Sequence, residues 1–414
     1  MFSVKISTGN KNIRAILVLP ASKSISSRLL IIKSLCKDDF KIENLSDSND
    51  TKILADCLKN CNSREVFDVG DAGTPFRFLT ALFAVTPGAR ILTGNERLCE
   101  RPIKPLVDTL RRMGAQIDFL GEEGFPPLSI KGKEIQGGKV LIDAAISSQF
   151  VSALLLIAPV LPNGLEIELK KDVASAPYIS LTLGMMKYFG IDSEWNDDFI
   201  KIKPQKYQAI NYSVEADWSA AAFWFETAAI DNDAEIELCG LLEKSLQGDA
   251  FVEDVFTKLG IESAFLQNSV MLKNGTKNTS FFELDFVDIP DMFPAVVAAC
   301  AALKIPFRFT GLRNLALKES NRVEAMVSEL SKFGFRFRFE EPDVLFSNGF
   351  EHGSGNEIVC NSHNDHRIVM ALAPLSLLGY NIIIQNPLCV SKSYPSFFDN
   401  LKSAGFNVCF SEIL

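Results

Sequence analysis

The chain has 414 residues, 47% of them apolar and 22% charged, which excludes a disordered tail protein, a coiled coil and a collagen-like chain. Its 42 basic and 51 acidic residues leave a net charge of −9, with no block of five like charges to serve as a nucleic-acid arm or a membrane-binding patch. Nine scattered cysteines without a CxxC pair fit a reducing compartment, no signal-like start is present, and the longest apolar run, 151–162, falls short of the ~20 residues of a membrane helix. A cytoplasmic, water-soluble chain is expected.

One plan recurs along the sequence: a short polar or glycine-rich turn, then a helix apolar nearly all round. The copies are SKSISSRLLIIKSL (22–35), DAGTPFRFLTALFA (71–84) and ISSQFVSALLLIA (146–158). ADWSAAAFWFETAAI (216–230), DIPDMFPAVVAACAA (288–302) and NDHRIVMALAPLSLL (364–378) continue the series. A helix with no polar face must be buried. Each copy is followed by a second, amphipathic helix: 51–60, 102–114, 177–190, 249–260, 320–334 and 393–405. Their apolar residues recur at i, i+3, i+4 and i+7, and all but the first end on a glycine suited to the C′ position. Alternating runs such as 336–347 and 380–385 predict strands between them. The chain therefore reads as six units of roughly 70 residues, too few for an open solenoid. Two halves of three units are expected, with the cut near Glu215.

The polar residues collect where the six buried helices begin. These are Lys23, Ser24 and Arg28; Asp71, Gly73, Thr74 and Arg77; Ser147, Ser148 and Gln149; Asp217; Asp291; and Asp365, His366 and Arg367. A helix N-terminus carries about half a positive charge and free N–H groups, so several facing one cleft would bind anions. Capping accounts for the Ser, Asp and Asn residues. It does not account for Lys23, Arg28, Arg77 and Arg367, because cations are disfavoured in a first turn. Arg101, Lys318, Glu319, Arg322 and Lys392 add charge in turns beside the second helices, where a solvated helix face is the alternative reading. There is no GxGxxG and no GxxxxGK[ST], which speaks against dinucleotide and P-loop sites. His363 and His366 lack further ligands nearby in sequence, so no metal is expected. Cys57 and Cys61, i and i+4 on a helix, read as packing, and Cys99, in a turn two residues before Arg101, reads as a spectator in preference to a reactive thiol.

The segments PASKSISSR, GDAGTPFR, ERPI, SSQF, SAPY, IPDMFP, LKESNR, NDHR and CVSKSYPSFF, in this order, resemble the 3-phosphoshikimate 1-carboxyvinyltransferase (EPSP synthase) family of the enolpyruvyl transferase superfamily. The resemblance spans essentially the whole chain. It implies an α/β (α+β) fold, a two-domain inverse α/β barrel-like arrangement of six βαβαββ units, three per domain. One domain would be 21–215, the other 1–20 with 216–414, with the active site in the cleft between them. It further implies transfer of the enolpyruvyl group of phosphoenolpyruvate to the 5-hydroxyl of shikimate 3-phosphate, by a glyphosate-sensitive monomer with no cofactor, metal, nucleic-acid or membrane partner.

Carried residue by residue, the resemblance gives Lys23, Ser24 and Arg28 to shikimate 3-phosphate, with Lys23 also near the enolpyruvate carbons. Ser147, Ser148, Ser175 and Lys318 would take the 3-phosphate, and Tyr178 and Asn314 would lie against the ring. Arg101, Gln149 and Lys392 would hold the phosphate of phosphoenolpyruvate beside Asp71 and Gly73, and Arg322 and Arg367 its carboxylate. Asp291 would accept the hydroxyl proton and Glu319 would protonate the methylene carbon. Three positions depart from the family pattern: Asp71 for Asn, Phe78 for Pro and Ala21 for Gly. A sister enzyme acting on UDP-N-acetylglucosamine is the first alternative, but Cys99 stands too close to Arg101 to match its cysteine loop. An RNA 3′-phosphate cyclase is the second, and the acidic net charge opposes it. Retention of Asp291 and Glu319 speaks against a non-catalytic relative.

Overall fold

The computed structural model describes residues 2–8, 12–142, 147–169, 175–196, 199–231, 233–276, 279–340, 343–351 and 355–412. Ile146, which opens the third repeat, and Glu341 and Pro342 of the 336–347 run lie outside them. The chain forms two compact units, Ser22–Val214 and Met1–Ala21 with Glu215–Leu414.

The Ser22–Val214 unit contains helices α1 (Lys23–Leu35), α2 (Asn49–Lys59), α3 (Gly73–Val85), α4 (Glu96–Cys99), α5 (Lys104–Arg112), α6 (Ser148–Ile157) and α7 (Ala176–Tyr188). α1, α3 and α6 touch one another at its centre. They are the apolar repeats, and α3 is buried from Pro75 to Ala84 on every side. One four-stranded sheet runs in the order Val66–Asp68, Gly88–Thr93, Leu128–Gly132, Gln116–Phe119. A second runs Glu194–Trp195, Phe199–Ile202, Leu165–Leu169, Gly138–Ile142.

In each sheet a parallel pair flanks a buried helix, Val66–Asp68 with Gly88–Thr93 around α3 and Gly138–Ile142 with Leu165–Leu169 around α6. Parallel strands need such a crossover. An amphipathic helix and an antiparallel hairpin follow, completing the βαβαββ plan. A short parallel pair, Ile42–Glu43 with Tyr212–Ser213, ties the unit's ends together.

The other unit repeats the plan with α8 (Trp218–Ile230), α9 (Val252–Lys258), α10 (Phe293–Ala302), α11 (Arg322–Ser331), α12 (His366–Leu372) and α13 (Phe397–Ser403). Here α8, α10 and α12 form the mutually packed, buried set. The N-terminal segment supplies two strands. Arg14–Val18 pairs parallel with Glu235–Cys239, and Phe2–Thr8 lies antiparallel between Asn381–Gln385 and Phe406–Glu412. Phenylalanines fill this core: Phe286 sits edge-on to Phe293 and Phe309, with ring centroids 5.3 and 5.1 Å away.

Five second helices stop at glycines with left-handed backbone, among them Gly114 (φ 99°) and Gly334 (φ 92°). Two of the expected buried helices differ in detail. The segment 288–302 is α-helical only from Phe293, and Asp291 lies in a preceding 3₁₀ turn, Pro290–Met292. The segment 364–378 changes from α to 3₁₀ at Ala373, because Pro374 has no N–H to continue the ladder.

Candidate active site

In the Ser22–Val214 unit the first turns of the helices are joined by side chains. Ser22 caps α1, accepting from the Ile25 N–H at 3.4 Å. Lys23 follows, its Nζ 3.2 Å from Asp50 Oδ2 on α2. Arg28 is buried. Its Nε donates to Thr182 Oγ1 (2.8 Å), Nη1 to the Ser24 carbonyl (2.9 Å), and Nη2 to Ser152 Oγ (3.3 Å) and the Tyr178 carbonyl (3.1 Å). Every one of these partners is neutral. Burial lowers the guanidinium to about 10, which leaves it charged at neutral pH. Ser147 caps α6, and Gln149 reaches from α6 to α3, its Nε2 donating to Thr74 Oγ1 at 3.1 Å. Ser148 is buried, and Ser175 stands buried at the N-cap of α7 in left-handed backbone, φ 60°.

Helix α3 has no side-chain cap: its N-cap is Ala72, so Asp71 is not the capping residue. Gly73 opens the helix with two guanidinium groups against it. A Cβ at position 73 would lie 2.6 Å from Arg101 Nη1 and 2.7 Å from Arg77 Nη1. Arg77 Nη1 donates to the Gly73 carbonyl at 2.9 Å. Arg101 is buried and its Nε has no hydrogen-bond partner among the described residues. Two cations and an uncapped helix N-terminus thus converge on one residue without a side chain. Like charges repel there, and the peptide dipoles add to the repulsion, so the spot favours an anion.

In the other unit the cations are already paired. Arg322, 1% exposed, has three carboxylates at its edges: Asp291 at 2.7 Å, Glu319 at 2.8 Å and Asp365 at 2.8 Å. Burial opposes its charge, and the three acids raise its pKa regardless. Asp291 also accepts from Arg367 Nη2 at 2.9 Å and lies 3.6 Å from Lys318. Burial would push the Asp291 carboxyl up, but Arg367, Lys318 and Arg322 together hold it well below the usual range. Lys392 is buried at the end of a 3₁₀ turn, Pro387–Lys392, rather than at a helix start, with Nζ 4.0 Å from Glu319 Oε1. Four cations, Lys318, Arg322, Arg367 and Lys392, thus face three carboxylates. Asn314 lies half-buried in the 3₁₀ turn Arg313–Leu317, just before Lys318.

Four supporting residues are not among those that the sequence singles out. Asp50 holds Lys23, Ser152 and Thr182 hold Arg28, and Asp249 lies near Asp291 and Arg367. Burial and then the Asp291 charge push the Asp249 carboxyl up to about 6, and Ser219 Oγ donates to it. Only Thr182 had a clue, since it falls one turn after Tyr178 on the same face of α7. Asp365 was expected as a cap. It caps α12 and also anchors Arg322.

A family model described as EPSP synthase (3-phosphoshikimate 1-carboxyvinyltransferase) matches residues 7–65 and 59–401. A 3-phosphoshikimate 1-carboxyvinyltransferase of Bacteroides fragilis is 43% identical, covering 96% of each chain. The chain belongs to the EPSP synthase family. The Actinobacillus succinogenes protein of the same name is 34% identical over 92% of this chain and 94% of its own. An EPSP synthase structure from Acinetobacter baumannii shares the fold at a TM-score of 0.80, 22% identity and full coverage of both chains. For this member of the EPSP synthase family, the matches favour the shikimate phosphate reaction over that with UDP-N-acetylglucosamine. Among its described residues no helix is long and apolar enough to cross a membrane.

Proposed function

We propose that this EPSP synthase family member joins C2 of phosphoenolpyruvate to the 5-oxygen of shikimate 3-phosphate and then expels phosphate, with the residues of both units acting on one substrate pair. The observation that carries the assignment is Arg101, a buried cation whose Nε has no hydrogen-bond partner among the described residues, beside Arg77 at the uncapped start of α3. The phosphate of phosphoenolpyruvate fits that spot, with Gln149 and Lys392 as further donors. Arg322 and Arg367 take its carboxylate, where a guanidinium fork matches two oxygens. Arg28, whose hydrogen-bond partners among the described residues are all neutral, keeps its charge for shikimate 3-phosphate, together with Lys23 and Ser24. Ser147, Ser148, Ser175 and Lys318 take the 3-phosphate, and Tyr178 and Asn314 the ring.

The paired cluster explains how binding turns the chemistry on. While Arg322, Arg367 and Lys318 crowd Asp291, its carboxylate is a poor base. Once the substrate carboxylate occupies the two arginines, Asp291 loses their stabilisation and its proton affinity rises. It can then take the proton of the 5-hydroxyl as the C–O bond forms. Glu319, between Arg322 and Lys392, changes in the same direction when those cations engage substrate. It delivers a proton to C3, and C2 develops oxocarbenium character before the hydroxyl adds. The tetrahedral adduct loses a C3 proton and phosphate, by C–O cleavage, to restore the enol ether. All nine cysteines are free thiols, which supports a cytoplasmic location for the reaction. Phosphate release from phosphoenolpyruvate with shikimate 3-phosphate or UDP-N-acetylglucosamine as acceptor tests the assignment. Turnover only with the nucleotide sugar, or with neither, overturns it.

A further inference from the structure

A buried carboxylate on α11 lies outside this chemistry. Glu329 stands seven residues after Arg322, two turns along the same face of the helix. It is 1% exposed, and both of its oxygens accept hydrogen bonds. Oε2 accepts from Lys332 Nζ at 2.6 Å and from the Asn361 N–H at 3.1 Å, and Oε1 accepts from His363 Nε2 at 2.8 Å. Two of these three donors come from one short segment, 361–363, which leads directly into the cap of α12.

That segment is held in an unusual backbone. His363 (φ 51°) and Asn364 (φ 54°) are consecutive non-glycine residues in the left-handed region. Both are types that tolerate it better than most, yet two in succession persist only when their surroundings fix them. The fixing contacts are local: His363 N–H to Asn361 Oδ1 (2.7 Å), Asn364 N–H to Ser362 Oγ (3.2 Å) and Asp365 N–H to the Ser362 carbonyl (2.9 Å). Asp365 then turns back to α11, accepting from Arg322 Nε at 2.8 Å and from Ser320 Oγ at 3.2 Å. The segment is thus fastened to one helix at two points two turns apart, by Glu329 at one end and Arg322 at the other.

We propose that Glu329 and His363 form a clasp that positions Asp365, Arg322 and Arg367 for the carboxylate of phosphoenolpyruvate. The inference rests on the assignment of Arg322 and Arg367 above. His363 touches no reacting atom. It acts by holding the left-handed turn, which sets where Asp365 meets Arg322 and where α12 begins. Its ring must carry a hydrogen on Nε2, because the group facing it is a carboxylate oxygen.

The test is steady-state kinetics of His363→Ala and His363→Gln with phosphoenolpyruvate varied, alongside amide hydrogen exchange of 361–369. In His363→Ala, KM for phosphoenolpyruvate should rise about fivefold or more, the range of coupling through a positioning residue. Its kcat and the KM for shikimate 3-phosphate should stay within about twofold. His363→Gln, whose amide can still donate to Glu329, should recover most of the loss. Exchange at the Asp365 and Arg367 amides should quicken in His363→Ala and return toward wild type in His363→Gln. A lowered melting temperature with KM and exchange unchanged would reduce the pair to plain packing and overturn the proposal. Absence of turnover in the wild type would sink the functional assignment, and the exchange measurement would still decide whether the clasp holds the turn.

Discussion

Glu319 and Asp291 share one guanidinium, but they are asked for opposite proton transfers. Glu319→Gln keeps the volume and the contact with Arg322 while removing the only proton it could give. The kcat should fall about a hundredfold or more, with both substrates still binding, as for the loss of a general acid. Near-normal turnover measured by phosphate release would remove Glu319 from the mechanism. Gly73 gives a second test at this scale. A methyl group there meets Arg101 and Arg77 at 2.6 and 2.7 Å, so both buried guanidinium groups must shift. Gly73→Ala should therefore raise KM for phosphoenolpyruvate by about tenfold, the cost of a displaced charge-assisted bond. The wild type should be inhibited by glyphosate in competition with phosphoenolpyruvate, and Gly73→Ala much less so. Equal inhibition of the two would show that position 73 does not border the site of that competition.

Helix α8 holds a group whose cost depends on pH. Glu226 is fully buried in it, and neither carboxylate oxygen has a hydrogen-bond partner among the described residues. Burial pushes the carboxyl well above its ordinary value of 4.5. Below that value the folded and unfolded chains are both protonated. Above it the unfolded chain ionises first, so stability falls by about 1.4 kcal/mol per pH unit until the folded carboxyl ionises too. Glu226→Met fills similar space without an ionisable group. Its melting temperature should exceed that of the wild type at pH 8, and the gap should narrow sharply at pH 4. A gap independent of pH would mean that ionisation is not the source of the cost. Glu226 also marks how far the sequence could be read. The apolar run 216–230 is legible as a buried helix despite it, because eleven apolar residues outvote the one acid beyond the capping Asp217. The helix pairs and their glycine stops were legible for the same reason, as periodicity is a local property. The 3₁₀ turns at 290–292 and 387–392 were not, since proline breaks the periodic signal there. Asp50, Asp249 and Glu329 were not legible at all. Each gains its meaning from a partner 27 or more residues away, apart from the local Lys332 contact of Glu329, and no spacing in the chain encodes that.

Across the whole molecule the anion-binding groups are divided. Lys23, Arg28, Arg101 and the serines of α6 and α7 belong to Ser22–Val214, and Lys318, Arg322, Arg367 and Lys392 to the other unit. The proposed function requires one shikimate 3-phosphate to engage residues of both. Linkage makes that requirement measurable, because a ligand that binds only the native state stabilises it by an amount set by its Kd. At a concentration a hundred times the wild-type Kd, shikimate 3-phosphate should add about 2.7 kcal/mol to stability. Ser148→Ala alters one unit and Lys318→Ala the other. If each removes one phosphate contact and weakens binding about tenfold, each should retain about 1.4 kcal/mol of that stabilisation at the same concentration. The effect of Lys318→Ala should shrink at high salt, where the lost attraction is screened in the wild type as well, and the effect of Ser148→Ala should change little. Thermal melts of the three proteins with and without ligand give both comparisons. A variant that keeps the full stabilisation would show that the substituted residue does not hold the 3-phosphate, and its assignment to that group would fail.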